Sequence, residues 1–148
     1  MINAFRDLNT VNYLRSFSDS SMGTAPFHFE PSAQSKAKYA AVFAGWNRQS
    51  EQQYFEAMKA QLMPGTTMVL EFFSLTQQGI SADSAQYETT YRLSVPHAVP
   101  GVPVQANGRA QFVLAPDRSR SWTVIRWIDL AQNPTDFTWS DLKGTFGQ

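Results

Sequence analysis

The segment "SWTVIRWIDL", residues 121 to 130, holds two charges, Arg126 and Asp129, inside an otherwise apolar, alternating run. Three positions apart in a strand, the two point to opposite faces and do not simply neutralise each other. Thr123, Ile125, Trp127 and Asp129 then share one face, and Trp122, Val124, Arg126 and Ile128 the other. A slip of one residue in pairing would exchange these faces. The preceding stretch "ANGRAQF" places the small residues Gly108 and Ala110 on the face that bears Phe112 and Leu114. If those small residues line a hollow, Ile125, Trp127 and Asp129 are its walls, and Tyr91 is a nearby hydroxyl donor. A carboxyl beside indole in a dry cavity loses solvation and its pKa rises, which is how a general base or a protonated donor is made. The plainer reading is a strand-end acid bonded to a backbone amide or to an arginine such as Arg109, because buried acids are rarely left unpaired. That reading is favoured, and Arg126 is read as a salt-bridged or snorkelling residue of the outer face.

The two histidines, His28 and His97, are the only side chains whose ordinary pKa lies near neutrality. His28 alternates out of step with Phe27 and Phe29, and His97 sits in the proline-rich "VPHAVPGVP". Both are weak candidates for acid–base work and read better as solvated edge and loop residues. Neither has metal-ligand spacing, so no metal site is expected. Ser16, Ser18, Ser20 and Ser21 lie in no nucleophile-elbow context and the glycines form no phosphate-binding loop. No cofactor is expected.

These residues must be positioned by a chain of 148 residues with 43% hydrophobic, 14% aromatic and only 16% charged content. That balance is far from a disordered chain, and the length suits one domain over residues 1–148 with one core. Twelve basic residues offset twelve acidic ones, and no basic stripe interleaves with aromatics, which argues against a nucleic-acid partner. No apolar run approaches the roughly 20 residues of a membrane span. Cysteine is absent, which removes disulfides and thiol chemistry without fixing the compartment.

Ile2, Phe5, Leu8, Leu14 and Phe17 recur at helical steps with a break near Asn9 and Thr10, predicting a bent helix or two short ones. "FHFEP" predicts a short edge strand ended by Pro31. Between Ser32 and Leu62 the spacing of Tyr39, Val42, Phe43, Trp46, Phe55, Met58 and Leu62 predicts a long amphipathic helix or two in series, interrupted at Gly45. Then the period changes. "TMVLEFFSLT", "AQYETTYRLSV", "VPVQANGRAQFVLA" and "RSWTVIRWIDLA" predict four successive antiparallel strands, the last two a hairpin across "APDRSR". In the tail, Trp139, Leu142 and Phe146 predict a turn of helix docked on the body.

The expected class is α+β, with the N-terminal helices packed in the concave face of a strongly curved, mainly antiparallel sheet. On "AFRDLNTVNYLRSFSDS", "GRAQFVL" and "WTVIRWIDL" the chain resembles the nuclear transport factor 2-like superfamily, whose cone-shaped, cystatin-like fold is shared with ketosteroid isomerases and polyketide cyclases. With "TWSDLKGTF" it is also similar to bacterial lipoproteins of that superfamily. The resemblance implies the fold and allows a trimmed exported or lipid-anchored form, although no anchoring cysteine is present. Its motifs are structural and carry no reaction. The expectation is a non-catalytic binding or assembly module, holding a small apolar ligand in its cone or meeting a protein partner. Because the strands look apolar on both faces, a homodimer through the convex face is expected too. The alternative is an isomerase, dehydratase or cyclase using Asp129 or a histidine as base and Tyr91 as donor.

Overall fold

In a computed structural model covering residues 1–148, two short helices, α1 (Ile2–Arg6) and α2 (Thr10–Leu14), open the chain. Asn9 separates them by accepting the Asn12 amide at 2.9 Å, the cap its residue type favours. Strand β1 (His28–Glu30) follows a single 3-10 turn, Ser20–Met22. The stretch expected to be one or two helices is three: α3 (Ala33–Lys38), α4 (Ala40–Phe43) and α5 (Arg48–Ala60). Tyr39, at φ −121° and ψ 38°, breaks the first boundary, and Gly45, left-handed at φ +78°, breaks the second. Asn47 then restarts the helix with a reciprocal cap: its Oδ1 accepts from the Gln49 and Ser50 amides while Ser50 Oγ accepts from the Asn47 amide.

The remaining strands are β2 (Val69–Ile80), β3 (Ala85–Ser94), β4 (Gln105–Pro116) and β5 (Trp122–Leu130), and α6 (Trp139–Phe146) closes the chain. They form one sheet in the order β1-β5-β4-β3-β2, with only the β1–β5 pair parallel. Bulges at Phe73/Thr76 and Gln77/Gly79 in β2, and at Val113/Leu114 between β4 and β5, help bend it. The expected β4–β5 hairpin is present, closed over Asp117–Ser121 by the Asp117 amide donating to the Ser121 carbonyl.

The helices fill the concave side. One continuous core joins Phe5, Tyr13 and Phe17 of the N-terminal segment, Phe55 and Met58 of α5, Tyr91, Phe112 and Trp127 of the sheet, and Trp139 and Leu142 of α6. The tail is therefore a two-turn helix inside the cone, longer and deeper than one docked turn. The outer face is polar at its centre, where Arg92 pairs with Glu71 and Arg109 with Glu88. This corrects the expectation of strands apolar on both sides: the outward alternation of β3 and β4 is charge and amide. No helix is long and apolar enough to cross a membrane.

Candidate functional site

Tyr91 and Asp129, from β3 and β5, meet across β4. Their β4 partners are Gly108 for Tyr91 and Ala110 for Asp129. Because Gly108 has no Cβ, the Tyr91 ring lies over it; a methyl there would stand 2.5 Å from the Tyr91 hydroxyl. Tyr91 thereby donates to Asp129 Oδ1 at 2.7 Å. The small residues do leave room, but the room holds protein rather than a cavity.

Helix α6 supplies that protein. Its first two residues present their amides to the pair, Trp139 N–H to the Tyr91 oxygen at 2.7 Å and Ser140 N–H to Asp129 Oδ2 at 2.7 Å, with Ser140 Oγ–H on the same oxygen. An acid at a helix N-terminus complements both the free amides and the dipole. The Trp139 indole donates to the Tyr54 hydroxyl at 3.1 Å. Burial raises the Asp129 pKa against the hydrogen bonds from Ser140 and Tyr91 and the charge of Lys143, which pull it down. Burial likewise raises the Tyr91 phenol well above its ordinary value. Asp129 is fully buried and Tyr91 is 3% exposed.

A second polar group lies deeper, between α5 and α6. Lys143 and Glu51 form an ion pair with both side chains wholly buried. Glu51 also accepts from Tyr13 Oη at 2.6 Å and Trp46 Nε1 at 2.7 Å. The Lys143 ammonium sits 4.0 Å from the Trp127 ring centroid and 4.1 Å from that of Phe29, an aromatic cage around a charge. Burial lowers the Lys143 pKa to about 8, with Glu51 opposing the shift.

Neither Glu51 nor Lys143 is a residue the sequence reading singled out. The signal was present: Glu51 shares its helix face with Tyr54, Phe55 and Met58, and Lys143 lies four residues after Trp139 and three before Phe146. A charge at a helical step inside an apolar stripe marks a buried partner.

The other candidates fall elsewhere. Trp127 is buried at the centre of the cone, touching Trp139 edge-on with centroids 4.5 Å apart. Ile125 leaves the inner face, because Val113 pairs with Arg126 and Leu114 with Val124, so Ile125 is the extra residue of a bulge. Beyond it the faces exchange, and Val124 and Trp122 turn inward in its place. Arg126 pairs with Glu30 on the outer side, as expected. Arg109 does not reach Asp129, since it pairs with Glu88 instead. His28 is an exposed edge residue 3.7 Å from Glu30. His97 is not solvated: it is 4% exposed, Nδ1 accepts the Val99 amide at 3.2 Å, Nε2 faces the Pro103 carbonyl, and the ring packs edge-on against Phe146. Neither histidine joins Asp129.

The most apolar of the open spaces lies on the concave face beyond Phe112. There a groove of about 430 Å³ is lined by Phe72, Tyr87, Phe112, Leu114, Trp122 and Val124, together with Leu75, Met1 and Ser16. Phe112 is the wall between it and the sealed interior. No ionisable acid, lysine, arginine or histidine side chain lines the groove; its polar groups are the Ser16 and Tyr87 hydroxyls.

No family model and no curated protein matches the sequence. Solved structures do. A Novosphingobium aromaticivorans protein with the provisional name aromatic ring hydroxylase superposes with TM-score 0.67 at 14% identity, over 95% of this chain and 87% of its own. A ketosteroid isomerase-like protein from Erwinia carotovora atroseptica superposes with TM-score 0.53 at 15% identity, over 89% of this chain and 88% of its own. A nuclear transport factor 2-like superfamily protein from Salmonella enterica does so with TM-score 0.56 at 9% identity, over 90% and 84%. At these identities the likeness is one of fold: the chain has the nuclear transport factor 2-like, cystatin-like cone.

Proposed function

We propose that residues 1–148 act as one non-catalytic binding module that holds an uncharged, apolar small molecule in the groove walled by Phe72, Phe112, Leu114 and Trp122. The observation that carries this reading is the separation of the space from the chemistry. The groove falls within the size range of small-molecule sites and is lined almost wholly by apolar side chains. No carboxylate, lysine, arginine or histidine side chain faces it, and the one ionisable amine of its lining is the half-buried Met1 amino group, whose pKa burial lowers. The acid–phenol pair nearest the sheet's small residues, Asp129 and Tyr91, already has protein partners on its oxygens and is covered by α6, and the second such pair, Glu51 and Tyr13, is buried with Lys143 and Trp46. General acid–base catalysis needs a group within hydrogen-bond reach of the proton it moves. An isomerase, dehydratase or cyclase would have to bring substrate past Trp139 and Ser140 to reach that pair.

The absence of charged side chains at the groove also bears on ligand type. An ammonium would lose its hydration there with no carboxylate to meet, and a carboxylate would have only the half-buried Met1 amino group, so a neutral molecule with one or two hydrogen-bonding groups for Ser16 and Tyr87 fits best. Homodimerisation through the convex face would have to use apolar residues at its rim, such as Val69, rather than the ion-paired centre.

Native mass spectrometry of the purified protein, beside the same sample denatured, tests this reading and the assembly state together. A neutral mass retained under native conditions and lost on denaturation supports the module. Turnover of that molecule to a new mass, abolished in Asp129→Asn, would replace it with the enzyme reading.

A further inference from the structure

Three buried side-chain polar atoms have no hydrogen-bond partner, and two of them, Ser18 Oγ and Arg48 Nε, belong to residues that line the same cavity. This cavity, of about 270 Å³, is bounded by Ser18, Asp19, Pro26, Phe27, Asn47 and Arg48 at the start of the 13-residue helix α5. Ser18 is 1% exposed, and its backbone amide is spent on the Val124 carbonyl at 2.9 Å, so only its hydroxyl is left over. Arg48 approaches Asp19 Oδ2 through Nη1 at 3.5 Å, which leaves the Nε–H edge of the guanidinium without an acceptor. The other oxygen of Asp19 is occupied by the amide and hydroxyl of Ser21. Asn47 Oδ1 is likewise taken by the Gln49 and Ser50 amides. What the cavity offers is donors in need of an acceptor.

We propose that this cavity is a binding site for a small carboxylate. The Nε–H and adjacent Nη2–H of an arginine form a planar two-donor fork that matches the two oxygens of a carboxylate, and the Ser18 hydroxyl adds a third donor. The N-terminus of α5 places the positive end of a helix on the same side. Asp19 bears a negative charge in the wall, which Arg48 offsets. That balance admits one further negative charge more readily than the two of phosphate. Pro26 and the buried ring of Phe27 supply an apolar wall, which selects an aryl or short alkyl carboxylate. The site lies apart from the groove and shares no lining residue with it.

The test is a titration of the protein with sodium benzoate, followed by the Arg48 Nε–H resonance in nitrogen–proton correlation spectra, with benzamide and inorganic phosphate as controls. Benzoate is expected to move that resonance saturably and benzamide to leave it in place. Arg48→Lys keeps the charge and loses the fork, and Ser18→Ala removes a hydroxyl that bonds to nothing in the empty site. Each should weaken benzoate binding, read by calorimetry, about tenfold, while thermal melting of Ser18→Ala stays at or above that of the parent protein. A resonance unmoved by benzoate, or unchanged affinity in both variants, overturns the proposal and assigns the two donors to ordered water. An equal response to phosphate overturns the carboxylate assignment.

Discussion

The Ser140 amide donates to Asp129 Oδ2 at 2.7 Å, so the acid that stands out in the sequence of β5 serves as an acceptor for the first turn of α6. With Tyr91 on its other oxygen, Asp129 ties the sheet to the helix that fills the cone. The pair joins the sheet to α6.

Asp129→Asn tests that role. The amide group brings an N–H₂ to a site where the neighbours Ser140 N–H, Ser140 Oγ–H and Tyr91 Oη–H all donate, so a buried donor is left unmatched. The loss of unfolding free energy in urea should be about 1 to 3 kcal/mol. Unchanged stability would show that the acid is kept for something other than holding α6.

Gly108→Ala should disturb the same joint from the opposite side. The added methyl meets the Tyr91 hydroxyl at 2.5 Å and the Leu130 carbonyl at 2.8 Å, and backbone cannot yield there cheaply. Overpacking of this kind costs about 1 to 3 kcal/mol. A thermal melt equal to that of the parent would contradict the placement of the Tyr91 ring over Gly108.

The buried ion pair makes a prediction about non-additivity. Lys143→Met leaves Glu51 charged among Tyr13, Trp46 and the core, and breaking one side of such a pair costs about 3 to 5 kcal/mol. The double variant Glu51→Gln/Lys143→Met removes both charges and should be more stable than Lys143→Met alone. Additive losses would mean that the two side chains do not interact.

The same lysine shapes the pH dependence. Burial lowers its pKa to about 8 from the ordinary 10.5, so between those values the unfolded chain holds a proton that the folded chain has released. Stability contributed by this group therefore rises with pH across that window. Tyr13, Tyr54 and Tyr91 are pushed the other way by burial, above the ordinary 10.0, so the unfolded chain sheds their protons first and stability falls as pH climbs past that value. Urea unfolding across alkaline pH should show a rise and then a decline. In Lys143→Met the rise should vanish and the decline persist; a rise that survives would assign it to another group.

Much of the scaffold was legible because its signals are local. The Asn9 and Gly45 breaks, the β4–β5 hairpin and the outward Arg126 follow from caps, turn residues and alternation. The faces of β5 were legible only as far as Trp127: the bulge at Ile125 shifts the phase by one residue, and nothing within "TVIRW" marks it. The site was harder for a different reason. Asp129 and Tyr91 were both found, and so was the space beside Gly108, but which element fills that space depends on a contact between β5 and a helix beginning ten residues later. Trp139, Leu142 and Phe146 showed that the tail is amphipathic; only the structure shows it inside the cone, where the groove begins beyond Phe112.

Under the proposed function a ligand sits in the groove beyond Phe112, clear of the Asp129–Tyr91 pair. Trp122 is 45% exposed on the groove, whereas Trp46, Trp127 and Trp139 are at most 5% exposed, so Trp122 is the tryptophan a ligand there would touch. The direct measurement is a Nile red titration of the parent, Leu114→Asp, Trp122→Ala and Tyr91→Phe, read by dye emission. Saturable binding of one dye per chain in the parent and in Tyr91→Phe, lost in Leu114→Asp and weakened about tenfold in Trp122→Ala, is the expected result. Binding indifferent to Leu114 and Trp122 but abolished by Tyr91→Phe would contradict the account and place the ligand inside the cone.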